Sequence, residues 1–146
     1  DHYLSLLPDD CYDPPDTIFP IQSNNTGEKV VSVQRISSQI ARNWGTDADW
    51  GKIYDAIKLF GYDVIEITGN KHNGETISML DTASIIKKSR LFIGMDSVGL
   101  HIAHRTKTPA IGIFPCTSPV VAGYPEHTNI ESNEKCGQRK RCARYP

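Results

Sequence analysis

The fold is decided by one stretch, Leu91 to His104, which reads LFIGMDSVGLHIAH. An apolar run ends at Met95 and two polar residues, Asp96 and Ser97, follow, after which the apolar residues recur at helical spacing. A strand, a tight polar turn and a helix in immediate succession indicate a βα unit of a parallel sheet. Ligands of such sheets bind at the carboxyl ends of the strands, so the turn at Asp96 and Ser97 is a candidate site.

The segment before this stretch has the same alternation of strand and helix. A β-branched run at 30–33 predicts the first strand, and the stretch 50–60 places apolar residues at three- and four-residue steps. Thr46 or Asp47 can cap the start of that helix, and Gly61 can end it. One face of the helix is therefore expected to be buried.

Roughly four βα repeats are predicted in all. Their later elements are a strand at 62–68, a helix at 76–88, a strand at 91–93, a short helix at 97–105 and a strand at 109–114. This order predicts a Rossmann-like α/β domain, in which a parallel sheet carries helices on both faces.

Length and composition limit the domain organisation. With 146 residues the chain has room for one α/β domain. Residues 1–27 are rich in Asp, Pro and Asn and read as a linker or arm, residues 28–134 form the predicted domain, and residues 135–146 form a basic tail that contains cysteine.

Charge and hydropathy exclude several partners. Lys and Arg number 16 against 17 for Asp and Glu, so no global field favours nucleic acid. No apolar run is long enough for a membrane span, and Asp1 to Leu7 lacks the basic start of a signal peptide. We therefore expect a cytoplasmic protein with no membrane span.

The turn after the third strand has features that suit an anion. The first backbone N–H groups of the next helix, at about Val98 to Leu100, have no intrahelical partner, and the helix dipole adds partial positive charge. A diphosphate fits there, and the Ser97 hydroxyl can add a donor. In the alternative interpretation, Asp96 or Ser97 only caps the helix and His101 is a core or interface residue.

The same segment resembles the best-preserved part of glycosyltransferase family 9, the heptosyltransferase family. The matching features are Gly94 after the strand, then Asp96-Ser97, His101 before a small-residue helix, and Thr108-Pro109 before the next strand. The resemblance implies a nucleotide-sugar site that includes Asp96, Ser97, Val98, Gly99 and His101. One departure is Val98, which stands where the family usually has glycine, with Gly99 one place later.

A second match lies upstream, in residues 33–38 and 41–44. Arg42 stands two residues before Trp44, the position of a basic residue that in the family contacts the phosphates of the sugar nucleotide. A guanidinium is well suited to that contact. Ser38 lies in the same loop and is placed in the same predicted site. The alternative is a solvated loop arginine.

The resemblance implies the C-terminal, donor-binding half of a two-domain glycosyltransferase of the GT-B type. Its donor would be a nucleotide-diphosphate sugar such as ADP-heptose, its acceptor a surface glycan or protein, and its context lipopolysaccharide biosynthesis. The acceptor-binding domain, which carries the general base, is expected outside this sequence, so no catalytic residue is assigned and the isolated chain is expected to be inactive. No cofactor is required.

Two other classes of function stay open. One is a non-catalytic module that binds a nucleotide or phosphate, and the other is a structural domain that forms homo-oligomers through its arm and tail. Titration with nucleotides distinguishes the structural domain from the other two functions.

The cysteines form a separate candidate site. Cys116, Cys136 and Cys142 follow the last predicted strand, and some members of the resembling family carry cysteine-rich insertions that bind iron. We therefore predict a structural iron or zinc site at these three residues, with free thiols as the alternative.

Overall fold

The computed structural model describes residues 29–39, 42–67, 71–72 and 75–132. The predicted arm at 1–27 and tail at 135–146 lie outside the described residues, so the three domain boundaries stay predictions. The elements, in chain order, are β1 Val30–Gln34, α1 Asp47–Leu59, β2 Asp63–Glu66, β3 Lys71–His72, β4 Glu75–Thr76, α2 Met79–Lys88, β5 Leu91–Met95, α3 Val98–Arg105, β6 Ala110–Phe114, α4 Pro119–Ala122 and β7 Thr128–Glu131.

Five strands form one parallel sheet in the order β2-β1-β5-β6-β7, and β3 and β4 form a small antiparallel hairpin. The chain moves outward from β1 to β2 and then returns to the other side of β1, where β5 pairs with it. This reversal is a topological switch point, and open α/β sheets generally have their ligand-binding crevice at such a point, here at the carboxyl ends of β1 and β5.

The core is divided by the sheet into two layers. Phe92 and Phe114 pack with residues of α2 and α3 on one face. Ile93 packs with Trp50 and Ile57 of α1 on the other. Successive residues of a strand point to opposite faces, so β5 supplies side chains to both layers. The prediction of a Rossmann-like parallel sheet with helices on both faces is confirmed.

The ends of α1 agree with the sequence prediction, whereas the start of α2 does not. Thr46 caps α1 in a capping box with Asp49, and Gly61, at a φ of 79°, ends the turn that follows. We predicted that α2 starts at residue 76, but it starts at Met79, because Ser78 and Asp81 form a second capping box. Thr76 instead lies in β4.

Four elements were not predicted, namely β3 and β4 of the hairpin, α4 and β7. The strand β7 has the sequence TNIE and is largely exposed at the edge of the sheet. Its single apolar residue, Ile130, gives no alternating pattern to recognise. Its position is set by parallel pairing with β6 rather than by its own composition.

Candidate functional site at the carboxyl ends of β1 and β5

Asp96 lies at the carboxyl end of β5, where the crevice of the switch point is expected. It follows β5 directly and is only 3% exposed, and its Oδ2 accepts a hydrogen bond of 2.6 Å from the Thr117 hydroxyl. Arg42 lies beside it, with Nη1 donating to the Asp96 backbone oxygen at 3.2 Å and Nε 3.6 Å from Oδ2. Two residues from separate motifs, 54 positions apart, therefore meet in the structure.

The loop that carries Arg42 is held by bonds on both sides of it. The Ser37 amide donates to Asn43 Oδ1 at 2.7 Å, and the Arg42 amide donates to the Gln39 oxygen at 2.9 Å. The Trp50 ring nitrogen donates to the Trp44 oxygen at 2.8 Å, which ties the loop to α1. The side chain of Arg42 is still 30% exposed, so its guanidinium can reach a ligand.

The start of α3 differs from that of the other described helices. α1, α2 and α4 each begin with a side-chain cap, from Thr46, Ser78 and Ser118 respectively. Ser97 occupies the N-cap position of α3, but its side chain makes no capping bond. Its hydroxyl instead accepts from Gln34 Nε2 at 3.3 Å. The Leu100 amide donates to the Ser97 backbone oxygen at 3.0 Å, so the prediction that it lacks a partner is wrong. The amides of Val98 and Gly99 are therefore the ones available to an acceptor from outside the helix.

Gly99 lets α3 approach the end of β1 closely. A Cβ atom at Gly99 would lie 2.3 Å from Gln34 Oε1 and 2.6 Å from Cζ of Phe92. The neighbouring Val98 is 41% exposed and does not meet this constraint. The one-residue displacement of glycine from the family pattern thus coincides with the position where the packing requires a residue without a side chain.

The other two predicted residues are placed differently. Ser38 is exposed on the loop that carries Arg42. His101 is exposed on α3, and its Nδ1 forms a hydrogen bond of 2.6 Å with the Tyr124 hydroxyl. The described contacts therefore join Arg42 to Asp96 and Ser97 to Gln34, whereas His101 contacts another part of the chain. The ligand-binding roles of all these residues stay predictions.

Two residues of the site were missed by the sequence analysis. Gln34 is 3% exposed at the end of β1 and donates to Ser97, and Thr117 follows β6 and donates to Asp96. The signal that could have found them is their position, because polar residues just past the carboxyl ends of parallel strands converge on one edge of the sheet.

A charged network fixes the adjacent edge of the sheet. Arg35, which follows β1, donates to Glu66 at 2.8 Å and also pairs with Asp47, while the Tyr54 hydroxyl donates to Glu66 at 2.7 Å. The bonds to Glu66 and Asp47 raise the pKa of Arg35, and burial together with the bond to Glu66 raises the pKa of Tyr54. This network joins the ends of β1 and β2 to α1.

Replacing Thr117 with valine is expected to lower the free energy of unfolding by about 1.5 kcal/mol. Valine has nearly the same shape as threonine but lacks the hydroxyl, so the buried Asp96 carboxylate loses a hydrogen-bond donor. Chemical denaturation of the chain measures this change. Thr117→Ser keeps the hydroxyl and serves as the matched control. Equal stability of the valine and serine variants would show that the bond to Asp96 contributes nothing.

Two groups of residues are candidates for holding a metal. Cys116 is half-buried beyond β6, but Cys136 and Cys142 lie outside the described residues, so the predicted cysteine site stays a prediction. Within the described ranges, His104, Glu126 and His127 form a second group, with one ligand atom of each within 4.8 Å of the others.

Comparison with known proteins agrees with the family resemblance. Residues 74–144 match glycosyltransferase family 9 (heptosyltransferase). Lipopolysaccharide heptosyltransferase 3 of Escherichia coli is 25% identical over 114 residues, an alignment that covers 64% of this chain and 33% of that protein. The chain thus spans about a third of the length of this curated relative.

Solved structures with a similar fold include the E. coli heptosyltransferase WaaC with ADP, at a TM-score of 0.66 and 11% identity, over 80% of this chain and 42% of WaaC. In sequence and fold the chain is thus similar to the heptosyltransferases of glycosyltransferase family 9. Its fold is also similar to the dodecameric iron-containing heptosyltransferase TibC of E. coli in complex with ADP-D-β-D-heptose. That comparison has a TM-score of 0.62 and 19% identity, over 78% of this chain and 35% of TibC.

The family match includes β5, α3 and β6, and so it contains Asp96 and Ser97. Arg42 lies before the matched residues, and its place in the crevice rests on the geometry described above. Of the helices in the described residues, none has the length and apolar character that crossing a bilayer would require.

Proposed function

We propose that the chain is the donor-binding part of a glycosyltransferase. In this proposal, the crevice at the carboxyl ends of β1 and β5 holds the diphosphate of a nucleotide-activated sugar. The observation that carries the proposal is the contact between Arg42 and Asp96, because it brings a guanidinium to the start of α3.

The groups around the crevice suit a diphosphate. The guanidinium of Arg42 can donate two parallel hydrogen bonds to phosphate oxygens, and the uncapped amides of α3 can donate more. The Asp96 carboxylate is directed away from this task, since its Oδ2 already accepts from Thr117 and lies beside the Arg42 Nε. Asp96 therefore positions Arg42 instead of binding the phosphates itself.

The proposed reaction is transfer of the sugar to an acceptor hydroxyl, with release of the nucleoside diphosphate. Negative charge develops on the leaving diphosphate as the bond to the sugar breaks, and fixed donors stabilise that charge without reorganising. Arg42, Ser97 and the first amides of α3 would supply these donors. The general base that takes the acceptor proton is expected outside this chain, and the proposed role of the chain requires no metal.

The proposed donor is ADP-heptose, and the proposed acceptor is a surface glycan or a protein. Support for the donor comes from the two similar structures, since WaaC is described with ADP and TibC with ADP-D-β-D-heptose. Support for a surface glycan comes from the E. coli relative, which is described as a lipopolysaccharide heptosyltransferase.

Calorimetric titration of the chain with ADP, GDP and UDP tests the proposal. We expect saturable binding of ADP with one site per chain, and weaker binding of the other two nucleotides. A parallel titration with ADP-heptose shows whether the sugar adds affinity. Absence of binding by all four ligands, in protein whose circular dichroism shows the α/β fold, would contradict the donor-binding role.

A further inference from the structure

A cluster of three potential metal ligands lies at the amino ends of the strands, whereas the proposed donor site lies at their carboxyl ends. His104 is in the last turn of α3, and Glu126 and His127 precede β7. One ligand atom of each lies within 4.8 Å of the other two. The amino ends of β6 and β7 meet at this edge, so the cluster is separate from the crevice at the carboxyl ends.

His127 is the most informative member of the cluster. It is only 9% exposed, yet neither ring nitrogen has a hydrogen-bond partner among the described residues. A buried polar group without a partner is costly, and such groups in native proteins are usually paired with protein, water or an ion. An imidazole nitrogen is a frequent ligand of transition metals. A bound cation would satisfy the ring.

The other two ligands are close enough to adjust. His104 Nδ1 already pairs with Glu126 Oε1, and their side chains are 43% and 48% exposed. Tetrahedral coordination places ligand atoms roughly 3.4 Å apart, for metal–ligand distances of about 2.1 Å. Small rotations of these two exposed side chains could therefore bring all three ligand atoms to coordination distance.

The turn that carries Glu126 and His127 is held in place by other bonds. Asn129 Nδ2 donates to the Tyr124 oxygen at 2.8 Å and to the His127 oxygen at 3.3 Å. The Tyr124 ring stacks on the His104 ring, with centroids 3.7 Å apart. Such supporting contacts orient metal ligands and reduce the cost of ordering them on binding.

The chemistry of the cluster selects the kind of ion. Two imidazoles and one carboxylate form a set that binds Zn²⁺ and also Fe²⁺, and it leaves at least one coordination position open. An adjoining cavity of about 420 Å³ is lined by His104, Glu126 and His127 together with Lys107 and Thr108. A water or a small anion in that cavity could complete the coordination.

We propose that His104, Glu126 and His127 bind one divalent first-row transition-metal ion, which ties the end of α3 to the turn before β7. The site does not depend on the proposed donor binding or on the three cysteines after β6. It uses different ligands at the other edge of the sheet.

Cobalt titration of a chain in which all four cysteines are replaced by serine tests the proposal, because thiolates would bind the same ion. We expect uptake of one equivalent, with visible d–d absorption and no thiolate-to-cobalt charge-transfer band. Zn²⁺ should displace the cobalt. Absence of saturable uptake by the folded cysteine-free chain would overturn the proposal.

Variants of the exposed ligands identify the site. Glu126→Gln and His104→Ala should each weaken binding by at least about tenfold, because each removes one of three ligands. Glu131→Gln is the matched control for Glu126→Gln, since Glu131 is an exposed carboxylate at the far end of β7, outside the cluster, and binding should not change. Uptake that is insensitive to both ligand variants would assign the metal elsewhere and overturn the proposal.

A nuclear magnetic resonance measurement covers the case in which the cysteine-free chain does not fold. Zn²⁺ added to the unaltered chain should shift the imidazole signals of His104 and His127. If His104 and His127 do not respond at saturating Zn²⁺, the proposal is wrong.

Discussion

Replacing Arg42 with alanine is expected to weaken the binding of ADP by about tenfold to a hundredfold. A charge-assisted hydrogen bond to phosphate contributes roughly 1.5–3 kcal/mol, and Arg42 is the guanidinium that the structure holds at the start of α3. Calorimetric titration of the variant against the unaltered chain measures the change directly.

Two companion variants separate the role of Arg42 in the site from a general effect of charge. Arg42→Lys keeps the positive charge but loses the planar fork, and its affinity should lie between those of the alanine variant and the unaltered chain. Arg90→Ala removes an exposed arginine just before β5, at the opposite edge of the sheet, and should leave ADP binding intact. Equal losses at Arg42 and Arg90 would show that only net charge matters.

The stability of Arg42→Ala must be measured alongside, because Arg42 also lies beside the buried carboxylate of Asp96. Thermal unfolding shows whether the variant remains folded at the temperature of the titration. A folded variant that binds ADP as well as the unaltered chain does would remove the observation on which the proposed function rests.

Replacing Gly99 with alanine is expected to lower the free energy of unfolding by about 2–3 kcal/mol. The added methyl group would lie 2.3 Å from Gln34 Oε1 and 2.6 Å from the Phe92 ring, both of which are buried. Overpacking of this kind costs roughly 1–3 kcal/mol, and the upper part of that range applies because the Phe92 ring is enclosed. Urea unfolding followed by circular dichroism measures the loss.

Gly51→Ala is the matched control, since no atom of the described residues lies within 4 Å of a Cβ atom at this position of α1. The same substitution should there increase stability by about 0.5–1 kcal/mol, because alanine favours the helix interior. Destabilisation of similar size at both glycines would contradict the close packing of α3 against β1 and β5.

Much of the fold could be predicted because the signals are local. The apolar run of β5 and the turn at Asp96 and Ser97 lie within one short stretch, and the Thr46 cap and Gly61 mark the ends of α1. The edge strand β7 could not be predicted in this way, since its exposed residues have no pattern of their own and its pairing with β6 supplies the order.

The candidate site likewise has features that local sequence predicts and features that it does not. The sequence by itself determined the strand–turn–helix at β5 and the presence of a basic residue two positions before Trp44. Hydrophobic periodicity and turn-forming residues can be recognised within a short stretch of sequence. Only the tertiary structure decided that Arg42 contacts Asp96 and that Gln34 and Thr117 lie beside them. It likewise decided that His127 is buried near His104, with ring nitrogens that have no hydrogen-bond partner among the described residues. These relations join residues distant in the chain, and the parallel order of the strands alone brings their ends together.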